Sequence, residues 1–335
     1  MHQYTTSTYA TLVKLPRDQN LAQIEIPRMA IQYHSLLDAL FCLTSLHLAS
    51  ERPLEAVRLA NEAVRYQTSA LGACREGLSN LTASGPQCRA MFHSSAFLGV
   101  SAMALHCIRA RFNAAPRPSE TLLESAELWR GTGLMLHTAQ KMLDPETFNS
   151  FFPLPDWFTL IGAVRDENAP AQEMLERLRT RVRLFDPSTD LTFQYPPTPT
   201  PSPGATGEAN HQSPESSAMS NASSPPALTP KREQEERIPA YLNVLDKLSK
   251  LFHVRDPETP AILNILIEIS PVFLHDLVAG APLASAIGLM YTVLMRTLEA
   301  HWWSKDYQQQ LKAELASYIP PGDVELMAIA VWAEA

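Results

Sequence analysis

Glycine is scarce in this chain, at 12 of 335 residues. So few glycines leave few sites for tight hairpin turns, which argues for helices and against a meandering β protein. Cysteine is scarcer still: Cys42, Cys74, Cys88 and Cys107 are all there are. No two form a C-x-x-C pair, so no cysteine zinc module and no metal site are expected within this chain. Four cysteines at this length make a poor disulfide scaffold, and a reducing intracellular compartment suits them better. The first twenty residues show no basic stretch followed by an apolar one, so no signal peptide is expected. Basic residues are outnumbered, 27 Lys and Arg against 35 Asp and Glu, for a formal net charge of −8. Phosphate contacts need basic side chains in numbers, so direct duplex-DNA binding by this chain is not expected.

Motifs of catalysis are lacking too. There is no G-x-x-x-x-G-K-[ST] loop, no G-x-S-x-G elbow and no H-E-x-x-H helix. Gly131-Thr132-Gly133 comes nearest to a phosphate loop, but it lies inside a helical pattern and lacks the third glycine. The expectation is a protein that is not an enzyme and carries no cofactor. Two uncharged runs, Ala90–Ile108 and Leu277–Met295, are each 19 residues long. A membrane span needs about 20 predominantly apolar residues. His93, Ser94, Ser95, Ser101 and His106 interrupt the first run, and Gly280, Pro282, Ser285 and Gly288 the second. Both read as buried helices, with no membrane span.

What is present is apolar sequence at helical spacing, 45% hydrophobic overall. Helices are expected near His2–Leu15, Arg28–Ser50, from Pro53 through Leu78, Pro86–Arg111, from a Ser119 cap to about Leu143, and Ala171–Leu184. Val57, Ala60, Val64, Leu71, Cys74 and Leu78 mark the expected buried face of the third. Beyond residue 236, Leu242, Leu245, Leu248 and Phe252 mark one helix and Ile262, Leu263, Leu266 and Ile267 another. Pro282–Trp303, Asp306–Tyr318 and Asp323–Ala333 follow. The fold class is all-α: about ten helices packed as antiparallel pairs. Ten of the 27 prolines fall between Pro187 and Pro230, amid Ser and Thr. Such a composition buries too little apolar area to offset its chain entropy, so a disordered insertion is expected. The organisation is then an N-terminal helical part (1–185), a linker (186–236) and a C-terminal helical part of the same domain (237–335). Thr198, Thr200, Ser202, Ser213, Ser224 and Thr229 each precede a proline and are candidate phosphorylation sites.

Chemistry-bearing side chains are scattered. Cys88, His93, His106 and Cys107 share one expected helix, but steps of five, thirteen and one put them on different faces. They read as core residues with local hydrogen-bond partners, as do His34 and His47. Trp302-Trp303 is the distinctive aromatic pair, either anchoring a helix end or walling a pocket. Leu283, Ile287, Met290 and Leu294 follow a 4-3-4 step and share a stripe, with Ala284, Gly288 and Tyr291 on its neighbour. Small residues on that second stripe let a helix or a flat ligand come close.

Tyr33–Ala49, YHSLLDALFCLTSLHLA, resembles a helix of fungal binuclear zinc-cluster transcription factors that reads roughly H-P-F-L-L-H-A-I-L-A-L-S-A-L-H-L-A. Ala63-Val64-Arg65-Tyr66-Gln67 through Ala70-Leu71 and Cys74-Arg75 resembles that family's A-x-x-H-Q-x-x-A-L-x-x-F-R. His2-Gln3-Tyr4 through Thr11-Leu12 is similar to the segment that precedes them. Pro282–Met295 followed by Trp302-Trp303 looks like its P-x-A-L…Y-x-V-L-L…W-W-x-x-G-W ending, with Asp306-Tyr307 in place of Gly-Trp and Asp38 in place of a histidine. The likeness covers most of the chain outside the linker and is nearest to the sterol uptake control branch. The six-cysteine DNA-binding module is not in this chain.

The resemblance implies an all-α regulatory domain that represses or licenses transcription in the nucleus, with shuttling to the cytoplasm left open. Its targets would be sterol metabolism or a secondary-metabolite gene cluster. It also implies an apolar ligand such as a sterol near the C-terminal helices, with Ile287, Met290, Tyr291 and Leu294 (and Leu283 on their stripe) lining a cavity and Trp302, Trp303 and Met327 at its rim. The partners would be transcriptional machinery or a DNA-binding protein, with homodimerisation left open. A helical scaffold without ligand is the alternative.

Overall fold

A computed structural model describes residues 1–13, 16–79, 85–142, 144–146, 169–184, 230–254 and 259–334. Every regular element among them is helical. The chain opens with α1 (His2–Thr6), a 3₁₀ turn (Thr8–Thr11), α2 (Pro16–Asn20), a π turn (Leu21–Glu25) and α3 (Ile26–Ala30). A long hairpin follows, α4 (His34–Glu51) and α5 (Ala56–Ser79), then a second, α6 (Gly85–Ala110) and α7 (Pro118–Met142). α8 (Ala169–Arg183) and α9 (Pro230–Phe252) pair with each other. α10 (Thr259–Glu268), α11 (Pro271–Val278), α12 (Pro282–Met295), α13 (Tyr307–Ser317) and α14 (Val324–Glu334) complete the chain.

The expected linker lies outside the described residues as far as 229, as do all six phosphorylation candidates. The helix that follows starts at Pro230. Pro230 opens that helix, where a missing N–H and a fixed φ cost nothing. Two other expected helices are also shorter. Ile31–Tyr33 breaks the chain before α4, and Tyr33, in extended conformation, is the N-cap residue. The helix from Pro282 stops at Met295 and tightens into a 3₁₀ turn, so the tryptophan pair lies beyond it.

The buried face of α5 is rotated from the expected one. Ala60 and Cys74 are buried as expected and Val64 and Leu71 partly so, but Ala56, Leu59, Ala63, Gln67 and Ala70 are buried too, whereas Val57 is 55% exposed. The larger side chains mark a helix face less well here than the alanines, which let α5 approach α4 closely. α6 packs between α4 and α7, and α7 in turn carries α10. Gly131 and Gly133 are the contact points on α7: a Cβ on the first would meet Ser95 Oγ of α6 at 3.1 Å, and on the second Ile267 Cγ2 of α10 at 2.3 Å. The G-x-G of this chain is therefore a place where two helices press on opposite sides of a third.

α12 is the centre of the C-terminal part, ringed by α9, α11, α13 and α14. One continuous apolar core runs from α4–α7 through α12 to α14. A separate, smaller cluster holds α1 and α3 on α4 and α6. α9 is tied to α11 by a buried ion pair: Arg237 Nε and Nη2 donate to the Asp276 carboxylate at 2.9 and 3.1 Å, and Tyr241 Oη donates at 3.0 Å. Such a fork satisfies a buried carboxylate that would otherwise be costly. α6 is long and apolar enough to cross a bilayer by length and composition, and 67% of its most apolar window is buried inside the protein.

Candidate functional site at the Trp302–Trp303 segment

Residues 301–314 bond to or pack against the turn at Thr8–Thr11, α4, α6, α7, α10 and α12. The segment leaves α12 by sharp turns held by Ser304 Oγ, which donates to the Leu298 carbonyl at 2.5 Å. Asp306 then adopts φ +66° and starts α13. That left-handed conformation costs an ordinary L-residue roughly 1–2 kcal/mol, and Asp tolerates it better than most.

Trp302 and Trp303 part company. Trp302 Nε1 donates to Thr11 Oγ1 at 2.9 Å, and its ring lies 4.9 Å from that of His47. Trp303 is buried, stacks on His301 at 5.0 Å, and its carbonyl accepts from Cys107 Sγ at 3.5 Å. The Trp302 indole thus reaches the N-terminal part of the chain, whereas Trp303 meets that part through its backbone carbonyl.

Three histidines in this region each pair with a threonine from another element. His47 Nδ1 meets Thr8 Oγ1 at 3.0 Å, His106 Nδ1 meets Thr121 Oγ1 at 2.9 Å, and His301 Nε2 meets Thr259 Oγ1 at 3.0 Å. Each ring also packs on an aromatic of the segment: Trp302, Tyr307 at 5.1 Å, and Trp303. The second nitrogen of His106 meets Gln310 Oε1 at 3.0 Å. An amide oxygen only accepts, so Nε2 carries the proton and Nδ1 accepts from Thr121. The second nitrogen of His47 lies 3.5 Å from Glu51 Oε1, which sets the same tautomer. Burial holds both imidazoles below their ordinary value, with Glu51 opposing for His47, and Gln310 and Glu314 for His106. Thr8, His47 and Glu51 follow each other as hydroxyl, imidazole and carboxylate. Thr8 is fully buried, however, so its hydroxyl is closed to a substrate in this conformation.

The segment ends in a second clamp. Glu314 Oε2 accepts from Ser119 N at 2.8 Å and Oε1 from Ser119 Oγ at 2.6 Å, at the N-terminus of α7. Ser119 was expected to cap its own helix; instead a carboxylate from α13 caps it, where the helix dipole favours negative charge. Tyr307 Oη donates to the Pro118 carbonyl at 2.8 Å, and Gln308 Nε2 to the Thr292 carbonyl in the last turn of α12 at 3.0 Å.

The expected cavity stripe sits inside the main core. Leu283, Ile287, Met290, Tyr291 and Leu294 are all buried, and Tyr291 Oη donates to the Ile262 carbonyl at 3.1 Å. Met327 of α14 is half-buried against the same core. A Cβ on Gly288 would lie 2.8 Å from both Leu277 Cδ1 and Leu315 Cδ1. The close approach that Gly288 permits is therefore used by α11 and α13. Cys88, His93, His106 and Cys107 do not converge, and among the described residues no group of three or more His, Cys, Asp or Glu is placed to hold a metal ion. All four cysteines are free and buried.

His47, Thr8 and Glu314 were missed as site residues because the partners in the bonds that join them lie 39 and 195 residues away. The one available signal was the Trp302-Trp303 pair itself. Comparisons of the chain with family models, with curated proteins and with solved structures find no match.

Proposed function

We propose that this chain is a helical regulatory domain of a transcriptional regulator, of the fungal zinc-cluster kind its sequence resembles. It works in the nucleus through a protein partner that supplies the DNA reader. The observation that carries the reading is a convergence. Three of the four segments that bear the resemblance are far apart in sequence, yet Thr8 and Thr11 of the first, His47 of the second and Trp302 of the last meet at one point. A second observation supports it: Asp306 stands where the resembled W-W-x-x-G-W ending has glycine, and its φ of +66° is one that glycine adopts freely. The packing of Leu277 and Leu315 against Gly288 favours regulation by a protein partner over an enclosed sterol.

The test is a reporter assay in a fungal host. The whole chain is fused to a heterologous DNA-binding module and activation segment, with sterol supply and carbon source varied. The reading expects condition-dependent repression that Trp302→Ala relieves while the fusion protein remains at wild-type abundance. Equal reporter output under all conditions, from wild type and variant alike, would favour an inert scaffold.

A further inference from the structure

We propose that residues 2–13 and 16–30 form a clasp that opens as a unit ahead of the rest of the molecule, and that acid opens it through His47. The clasp has its own small core. Tyr4, Ile26 and Ala30 pack on Leu36, Leu40 and Ala90 in a cluster of their own, and Leu12 touches both this cluster and the main core that joins the other helices. A segment whose apolar contacts are few and separately clustered is a natural unit of local opening. The break at Ile31–Tyr33 supplies the hinge, and Ile31 there is 74% exposed.

The fit beneath the clasp is imperfect on both sides. Tyr4 Oη and Arg89 Nε are buried without a hydrogen-bond partner among the described residues. Unmet buried groups weaken the contact that buries them, because opening returns them to water. Polar tethers that hold it include Glu25 with Arg89 at 3.0 Å, Trp302 Nε1 with Thr11, and His47 with Thr8. The last two run through the His47–Trp302 pair. Opening would uncover an apolar strip formed by Leu36, Leu40, Ala90 and Phe97.

His47 is the acid-sensitive member because its accepting nitrogen is the tether. Protonation removes the lone pair that receives the Thr8 hydroxyl, so that the hydroxyl must turn round to accept instead, and it places a charge against the face of the clasp. From its own helix His47 faces Glu51; from the clasp it faces the neutral Thr8, and from the segment after α12 the neutral Trp302. Among the described residues, Glu51 is the one charged group that acts on it, and burial outweighs that attraction.

The experiment is hydrogen exchange of the full chain, read by mass spectrometry at about pH 7.5 and about pH 5 and corrected for intrinsic rates. Peptides from residues 2–30 should exchange at least about tenfold faster than peptides from α12 at neutral pH, with a further severalfold rise in acid. His47→Gln should abolish the acid rise, whatever its rate at neutral pH. If residues 2–30 and α12 exchange together at both pH values, or if the acid rise persists in His47→Gln, the proposal fails. Should that variant not fold, Trp302→Phe decides: it removes the Thr11 bond and keeps a ring, so it should speed residues 2–30 alone. Equal acceleration of α12 would overturn the proposal.

Discussion

Glu314→Ala should cost about 3 kcal/mol of stability, more than most single substitutions. The carboxylate is 10% exposed and accepts three hydrogen bonds: from Ser119 N at 2.8 Å, Ser119 Oγ at 2.6 Å and Tyr318 Oη at 3.2 Å. A hydrogen bond to a charged group contributes about 1.5–3 kcal/mol, and the two Ser119 bonds share one carboxylate and do not simply add. Arg117, at 3.9 Å and 46% exposed, adds little because water screens it. Truncation also leaves the Ser119 amide at the start of α7 uncapped, a loss of about 1 kcal/mol that belongs to the same figure. Glu314→Gln keeps the shape and one accepting oxygen, but turns a donating amide toward one Ser119 donor, so it should cost about half as much. The assay is urea unfolding followed by circular dichroism, with Ser119→Ala and the double variant completing a cycle. The expected coupling between the two sites is about 1–2 kcal/mol with an unchanged m value. A loss below about 0.5 kcal/mol for Glu314→Ala would refute the reasoning, since a buried cap cannot be that weak.

Asp306→Gly should raise stability by about 0.5–1 kcal/mol, because φ of +66° suits glycine and the relief exceeds the added chain entropy; a drop in melting temperature would contradict this. Gly133→Ala should destabilise by about 1 kcal/mol or more against Ile267, whereas Gly72→Ala, with nothing within 4 Å, should stabilise by about the helix propensity difference of 1 kcal/mol; opposite signs by thermal melting are the check. Acid should destabilise the fold. His47 and His106 have folded values depressed below the ordinary 6.5, so the unfolded chain takes up protons first as pH falls through that value. The stability they contribute is present above about pH 6.5 and lost below it. The double variant His47→Gln/His106→Gln should flatten the pH dependence of the urea midpoint in that window, and an unchanged slope would argue against the assignment.

The helical class was legible because apolar residues recur at three- and four-residue steps in α4–α7 and because glycine is rare. Several boundaries were not. Nothing local in Leu294-Met295-Arg296 tells a reader that the helix ends there; the turn is held by Ser304 and Gln308, which lie after it in sequence. The face of α5 was misread for a related reason. Valine outranks alanine on any hydrophobicity scale, yet close packing against α4 selects the alanine stripe and leaves Val57 outside. The Trp302-Trp303 pair was visible as an oddity. What it holds was hidden, because the pairing of Trp302 with Thr11 spans almost the whole chain. Hydrogen bonds of that reach leave no periodic trace. Likewise, the stripe of Leu283, Ile287, Met290 and Leu294 was correctly seen as one face, but only coordinates show that Leu277 and Leu315 press against the neighbouring Gly288.

The central claim is that the segment from His301 to Glu314 joins the parts of the chain on either side of residues 185–229 into one body. The direct measurement is sedimentation after cleavage at a protease site introduced between Pro187 and Pro230, made on the wild type and on a Trp302→Ala/Glu314→Ala variant. The account predicts that the two cleaved wild-type pieces sediment together as one particle, and that the double variant shifts them toward separate species. Separation of the wild-type pieces on cleavage at micromolar concentration, or equal cohesion in the double variant, would contradict it.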